Sequence, residues 1–380
     1  MLDIDGNYSY NDFISSINLQ SREIKIPPKK ATHQKTKQHN RDLVLRTIFD
    51  HQPTSRAEIA RITKLTRATV SDMVANLISE GLVEEVGYGE SIGGKAPILL
   101  EIVADSRYLV GLNLAQDKFI GSVVNLSGEF KETIEFPVEG RDGERALKLV
   151  YKILDELTDN EWSPIVGIGI GTPGLINTDD GVVINAVNLD WQDLPLGQLL
   201  ESRYDSPITI LNDSQATAIG ELVHGGDHEP EENLVVVTVK YGIGAGIVIN
   251  GRLFQGDGGG AGEIGHVVIG EDGLLCRCGK TGCLETIASS RAVLQRAKTL
   301  APEYSSSKLT NALQDITLES IKSAFIQNDP LARRIVTESG KAMGISLANL
   351  IGVLNIKKIV LTGDMTLYGE PWLQTIREAM

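Results

Sequence analysis

The chain has 380 residues and a mass of 41.1 kDa, with 42% apolar and 23% charged residues, which fits two or three folded domains and excludes wholesale disorder. Its net charge of −14, taken alone, argues against nucleic acid, because phosphate binding needs clustered Lys and Arg. No run of about 18 apolar residues exists, so no membrane span is predicted, and the acidic start MLDIDGNYSYNDF does not read as a secretory signal.

The charge divides by region. Residues 22–71 hold 12 basic and 4 acidic side chains, a balance of +8, whereas residues 101–380 hold 23 and 38, a balance of −15. A basic front on an acidic body is the footprint of a nucleic-acid module joined to something else, with a solubilising charged face as the alternative.

Residues 1–37 show no sustained apolar period, and Pro27, Pro28 and KKATHQKTK read as a flexible basic arm. From about Asn40, Leu43, Val44 and Ile48 predict a short amphipathic helix that Pro53 breaks. Ser55-Arg-Ala-Glu58 reads as a capping box opening a second short helix with Ile59 and Ile62 on its apolar side. After the tight link Thr63-Lys-Leu65, Thr66 is an expected N-cap, with Leu65 and Val70 as a hydrophobic staple. Val70, Met73, Val74, Leu77 and Ile78 then fall on one helical face, and Gly81 stops the helix.

Two short helices joined by a tight turn predict a helix-turn-helix, whose second helix carries Arg67, Thr69, Ser71 and Asp72 off its apolar face in the turns that can reach base edges. Leu82–Val86 and Ile98–Ile102 read as strands of a hairpin around a glycine-rich turn with Lys95, a wing. The candidate DNA contacts are Arg56, Thr66, Arg67, Thr69, Ser71 and Lys95. The predicted boundaries are a basic arm over 1–37 and a winged helix over 38–102.

The acidic body reads as two similar α/β halves in tandem, 103–211 and 212–380, which suggests two lobes with a ligand cleft between them. In the first, three strands over 109–136 precede a helix at 146–157, the strand Ile165–Ile170 runs into Gly171-Thr-Pro-Gly174, and Ile208–Leu211 runs into Asn212-Asp213 and a helix from Ser214. In the second, the strand Leu234–Lys240 leads to Gly242-Ile-Gly-Ala-Gly246 and a hairpin turned at Asn250-Gly251, followed by helices at about 317–328 and 330–353 and the strand Lys358–Thr362.

All three cysteines lie within eight residues and cannot form a paired disulfide framework, so they read as thiolates of a reducing cytoplasm. His266, Cys276, Cys278 and Cys283 run H-x9-C-x-C-x4-C, a donor set suited to a structural, tetrahedral Zn²⁺; free thiols beside a core histidine are the alternative. Asn188, Asn212, Asp213, Glu263, His266 and Glu285 follow or flank glycine-rich turns. Their carboxylates and amides suit vicinal hydroxyls, although Asp213 could be only a helix cap.

Taken together, NRDLVLRTI, SRAEIARITKLTRATVSDMVANLISEGLV, GESIGGKAPILLEI, GIGIGTPGLI, NDSQATAIGE, GIGAGIVINGRLFQGDGGGAGEIGH and CRCGKTGCLE resemble the ROK family of sugar-responsive repressors and sugar kinases, from about residue 38 onward. The resemblance implies an α/β chain: a winged helix followed by a two-lobed actin-like (sugar-kinase) fold. It also implies zinc on His266, Cys276, Cys278 and Cys283, and sugar contacts from Asn188, Asn212, Asp213, Glu263, His266 and Glu285, with Asp213 matching the base of the family's kinases.

The nucleotide side departs from that pattern. Where family kinases carry D-x-G-G-T-K, this chain reads Asn113-Leu-Ala115-Gln-Asp117-Lys118. Tyr241 replaces the Thr of the second phosphate loop, and Gly363-Asp364 replaces a Gly-Gly. The expectation is a non-enzymatic regulator. It would be a homodimer or dimer of dimers on a palindromic operator, answering to a monosaccharide such as xylose, glucose or N-acetylglucosamine; a sugar kinase, alone or bifunctional, is the alternative. Family members usually continue past the position of Met380 with a helix that packs back on the first lobe, so this sequence is expected to stop short of that helix.

Overall fold

The computed structural model describes residues 33–90, 96–159, 161–226, 232–270, 274–312 and 315–380, and the chain divides after Ile102 into two compact units. The front unit opens with α1 (His33–His51), which begins inside the stretch read as the arm. Between His33 and His51 there is neither Gly nor Pro, so nothing halts the helix before Pro53. The rest of the predicted arm, residues 1–32, lies outside the described residues.

A short β1 (Thr54–Ser55) leads into α2 (Arg56–Thr63) and α3 (Arg67–Ser79). Ser55 caps α2 by accepting the Glu58 backbone N–H at 3.2 Å, but the reciprocal half of the expected box is absent. The Glu58 carboxylate takes two bonds from Arg61 instead, at 2.6 and 2.9 Å, because a guanidinium one turn away is a stronger donor than the cap's backbone N–H. Thr66 caps α3 by accepting from Thr69 N–H at 3.2 Å.

Val70, Met73, Val74 and Leu77 are buried with Val44, Ile48 and Ile59, so three amphipathic faces make one small core. Gly81 takes φ +70, and Leu82 N–H closes on Leu77 C=O at 3.0 Å, ending α3. Strands β2 (Val83–Tyr88) and β3 (Ile98–Ile102) pair antiparallel, with β1 on the far edge of β3. Residues 91–95, including Lys95, lie outside the described residues.

The body repeats one strand plan twice. Its first sheet has the order β11-β7-β4-β5-β6: β4 (Tyr108–Leu114), β5 (Lys118–Asn125) and β6 (Phe130–Pro137) form an antiparallel meander, and β7 (Ile165–Thr172) and β11 (Ile208–Asn212) join in parallel. The second sheet has the order β14-β13-β12-β15: β12 (Leu234–Val239), β13 (Ile243–Ile249) and β14 (Arg252–Phe254) are antiparallel, and β15 (Lys358–Thr362) runs parallel to β12. Asn250 and Gly251, at φ +53 and +68, make the β13–β14 turn that the Asn-Gly pair predicts.

Helix α4 (Gly143–Thr158) buries Ala146, Leu149, Val150, Ile153, Leu154 and Leu157 on the first sheet. A small sheet of β8 (Leu175–Asn177), β9 (Val182–Ala186) and β10 (Trp191–Leu194), unassigned from sequence, is followed by α5 (Leu196–Glu201).

Helix α6 (Asp213–His224) lies against the second sheet. Leu234 and Val236 of β12 pack with its Ala218, while Val235, Val237 and Val239 point into a larger core on the other face. That larger core is closed by α7 (Glu285–Ala288), α8 (Ser290–Leu300), α9 (Leu318–Ile326), the long α10 (Pro330–Leu354) and α11 (Glu370–Ala379), whose Trp372 is fully buried and donates to Ser339 at 3.0 Å. A Cβ on Gly246 would stand 2.3 Å from the Ala218 Cβ. Glycine in β13 therefore lets α6 approach the sheet closely, a packing role for a residue of the phosphate-loop-like stretch.

Candidate functional site

Asn212 and Asp213 stand at the carboxyl end of the parallel strand β11, where α/β folds usually hold ligands, and Glu263 and Glu285 are close enough for their charges to act there. Asn212 ends β11 and caps α6: its Oδ1 accepts from Ser214 N–H at 2.9 Å and Gln215 N–H at 3.4 Å, and its Nδ2 donates to Gly174 C=O at 2.9 Å. It is the cap that Asp213 could have been.

Asp213 is the first residue of α6 and accepts from Ser214 N–H at 2.8 Å. Burial raises its carboxyl pKa; the Ser214 hydrogen bonds and the charge of Lys240 oppose the rise. A Cβ at Gly171 would stand 3.6 Å from Asp213 Cα and 4.0 Å from Asn113 Oδ1, so the end of β4 reaches the same place.

Glu263 precedes, and His266 closes, a single 3₁₀ turn, Ile264–His266. The turn can lie along β13 because Gly262, at φ +97, has no Cβ: one would meet Ala245 C=O at 1.8 Å. Burial pushes the Glu263 carboxyl up to about 7, helped by the neighbouring charges of Asp213 and Glu285. Glu285 is buried and accepts from Ile243 N–H at 3.2 Å through Oε2, and its Oε1 lies 3.6 Å from Arg291. Three carboxylates thus share one field.

Asn188, exposed on the turn after β9, reaches this region through a bond that Arg277 donates to its Oδ1. Arg277 also sits 5.1 Å from the centre of the Tyr241 ring, as does Arg291. Sequence reasoning missed Arg277, Arg291 and Lys240. Only the position of Arg277 inside the Cys-Arg-Cys step hinted at a role.

His266, Cys276, Cys278 and Cys283 offer four ligand atoms that all lie within 4.8 Å of one another, so the cluster could hold a metal ion. Cys278 Sγ and Cys283 Sγ are 3.6 Å apart, too long for a disulfide and close to the ~3.7 Å edge of a tetrahedron with ~2.3 Å metal–sulfur bonds. Cys276 Sγ faces His266 Nδ1 at 3.4 Å, while His266 Nε2 lies 3.7 Å from Glu263 Oε2. One ring nitrogen therefore turns to the thiols and the other to the carboxylates, so the two roles expected of His266 use different atoms.

In the front unit, Arg67 and Ser71 are exposed on α3 and Thr66 is exposed at its N-cap, and Thr69 shares a hydroxyl contact of 2.9 Å with Thr66. Arg56 is less available, since its guanidinium is paired with Glu85 of β2 at 2.8 Å. Lys64, unremarked from sequence, is exposed in the inter-helix turn at φ +61.

A winged helix-turn-helix DNA-binding family model matches residues 41–84, and the ROK family model matches residues 109–380; the chain belongs to the ROK family, in its DNA-binding form. It is 35% identical over 357 residues to the xylose repressor of Caldicellulosiruptor bescii, covering 92% of this chain and 89% of that one. An N-acetylglucosamine repressor of Escherichia coli O6:H1 is 29% identical over 333 residues, covering 87% and 81%. The crystal structure of a ROK family transcriptional regulator, a homolog of the E. coli MLC protein, superposes with a TM-score of 0.79 at 27% identity over 90% of this chain and 87% of that one. A ROK glucokinase from Streptomyces griseus, solved with glucose and AMPPNP, gives 0.63 at 28% identity over 72% and 88%. These likenesses agree with the winged-helix and sugar-kinase-like architecture expected from sequence.

Proposed function

We propose that the protein is a sequence-specific DNA-binding repressor of carbohydrate-utilisation genes whose operator affinity is lowered by a monosaccharide bound at the Asp213 cluster. One observation carries the reading. The same chain joins a helix capped by Thr66 in a winged helix-turn-helix to a cluster in the body where Asp213, Glu263 and Glu285 act on one another, a donor set suited to sugar hydroxyls.

Sugar hydroxyls would be held by Asn188, Asn212, Asp213, Glu263, His266 through Nε2 and Glu285. Operator contacts would come from Thr66, Arg67, Thr69 and Ser71, with Arg56 and Lys95 contributing to phosphate or wing contacts. The reading places the protein in the cytoplasm as a homodimer or dimer of dimers on a palindrome, and no described helix is long and apolar enough to cross a membrane.

The four donors His266, Cys276, Cys278 and Cys283 fit Zn²⁺ in charge, softness and spacing. Bound there, the ion would act as a structural cross-link. The chain's own part is to orient His266, through Nδ1, so that Nε2 faces the sugar carboxylates.

Phosphoryl transfer is not expected. Ile243 N–H, which a phosphate loop would offer to nucleotide, is held by Glu285. Tyr241 is engaged by two arginines, Asp364 accepts from Ser290 at 2.8 Å, and Asn113 stands where a magnesium-binding Asp would be needed. A thermal-shift screen over xylose, glucose and N-acetylglucosamine, followed by gel shift with each hit, tests the reading. No ligand-induced stabilisation and no change in DNA affinity would sink it. Steady ADP release with any of these sugars would restore the kinase.

A further inference from the structure

Two arginines of the second lobe each engage a residue assigned above to the sugar. Arg277 donates to Asn188 Oδ1, Arg291 lies 3.6 Å from Glu285, and both guanidinium groups are 5.1 Å from the one Tyr241 ring. Asn188 belongs to the turn between β9 and β10 of the first half, whereas Arg277 belongs to the cysteine loop of the second, so this bond spans the site. Arg277 lies between Cys276 and Cys278, two of the four metal-type ligands.

We propose that Arg277 is a latch: in the sugar-free protein it occupies the amide oxygen of Asn188, Tyr241 steadies it there, and a sugar must displace it to reach that oxygen. The inference rests on the sugar reading above. Its chemistry is a competition between donors. A guanidinium offers a charge-assisted bond that a neutral sugar hydroxyl cannot match, and the flanking ring attracts the cation to the same place. The apparent sugar affinity is then reduced by the fraction of molecules in which the latch is open. Tyr241, the residue that departs from the kinase phosphate loop, acquires a purpose in this arrangement.

The test uses the full chain, with metal content equalised before measurement. Calorimetry with D-xylose, glucose and N-acetylglucosamine compares wild type with Arg277→Ala, Arg277→Lys and Tyr241→Leu. The latch requires Arg277→Ala to tighten binding of the sugar that wild type accepts, by about 3- to 10-fold if the latch is closed in most molecules. Tyr241→Leu should shift affinity the same way by less, and Arg277→Lys, which keeps a cationic donor, should stay near wild type. Hydrogen exchange without sugar gives an independent reading: amides of the 274–284 loop should exchange faster in Arg277→Ala and in Asn188→Ala, with no further gain in the double variant.

Weaker sugar binding by Arg277→Ala would make Arg277 a sugar contact and overturn the latch. Unchanged affinity with unchanged exchange would make it a surface contact and overturn it equally. If wild type binds none of the three sugars, the sugar reading itself fails and the latch falls with it. If wild type binds and Arg277→Ala is indistinguishable from it, only the latch fails.

Discussion

The front unit and the body hold their candidate functional residues in opposite ways. On α3 the candidate contacts are neighbours in sequence, mostly exposed, on a helix defined by one hydroxyl cap and one glycine stop. In the body the candidate contacts are spread from Asn188 to Glu285, and almost every one is already bonded to the scaffold: Asn212 to a helix start, Glu285 to β13, His266 to a cysteine, Asn188 to Arg277. A surface that meets a large polyanion can be a row of loose side chains, because the partner supplies the order. A site for a small neutral ligand must be preorganised, since each unfixed side chain costs binding free energy. The charge follows the same division, +8 over residues 22–71 against −15 over 101–380.

The sharpest break in that comparison is the metal-type cluster. Cys278→Ser should cut metal affinity by at least about 100-fold, since loss of mere outer-shell partners costs 10- to 100-fold. Because metal-binding energy is also folding energy, it should lower the melting temperature of the body, and a chelator should do the same to wild type. Metal analysis with calorimetry checks this; a variant that keeps one tightly bound ion per chain and its sugar response contradicts the assignment.

Next in size, Arg67→Ala should weaken a selected operator duplex by about 1–3 kcal/mol, with the sugar-induced thermal shift unchanged. Asp213→Ala should do the reverse: DNA affinity stays, and the stabilisation of about 2.7 kcal/mol expected at a hundredfold excess of sugar over Kd disappears. If either variant damaged both functions, the separation of roles between the two regions would be wrong.

The same contrast explains what was legible in the sequence. Thr66, Val70, Met73, Val74, Leu77 and Gly81 define α3 through period and caps, so the reading helix could be drawn from local pattern. The cysteine spacing announced its own chemistry because soft ligands are few and clustered. The sugar-type cluster was different. Nothing local to Asn188 or Glu285 says that they meet; only the resemblance to the ROK family brought them together. The strands β8–β10 went unassigned because they are short and weakly alternating. The Cys-Arg-Cys step draws attention to Arg277 but not to its partner, since Asn188 lies far away in the sequence and no spacing links them. The capping box at Ser55 was half right: the hydroxyl caps, but Arg61 takes Glu58 first.

The smallest effect tests whether Thr66 is a cap, a DNA contact or both. Its hydroxyl accepts from Thr69 N–H at 3.2 Å, which fills one of the four open donors at the start of α3. Thr66→Ala should therefore cost the front unit about 1 kcal/mol of stability, and any loss of DNA binding would mix that effect with a lost contact. Thr66→Asp separates them. Aspartate is at least as good a cap and favours the positive end of the helix, so the unit should melt at or slightly above the wild-type temperature. The same carboxylate, exposed beside Arg67 at the end of the helix proposed above to contact DNA, would meet phosphate there and weaken operator binding. Stability retained with affinity lost places Thr66 at the DNA surface; stability and affinity both retained make it a cap alone, and remove it from the interface proposed above.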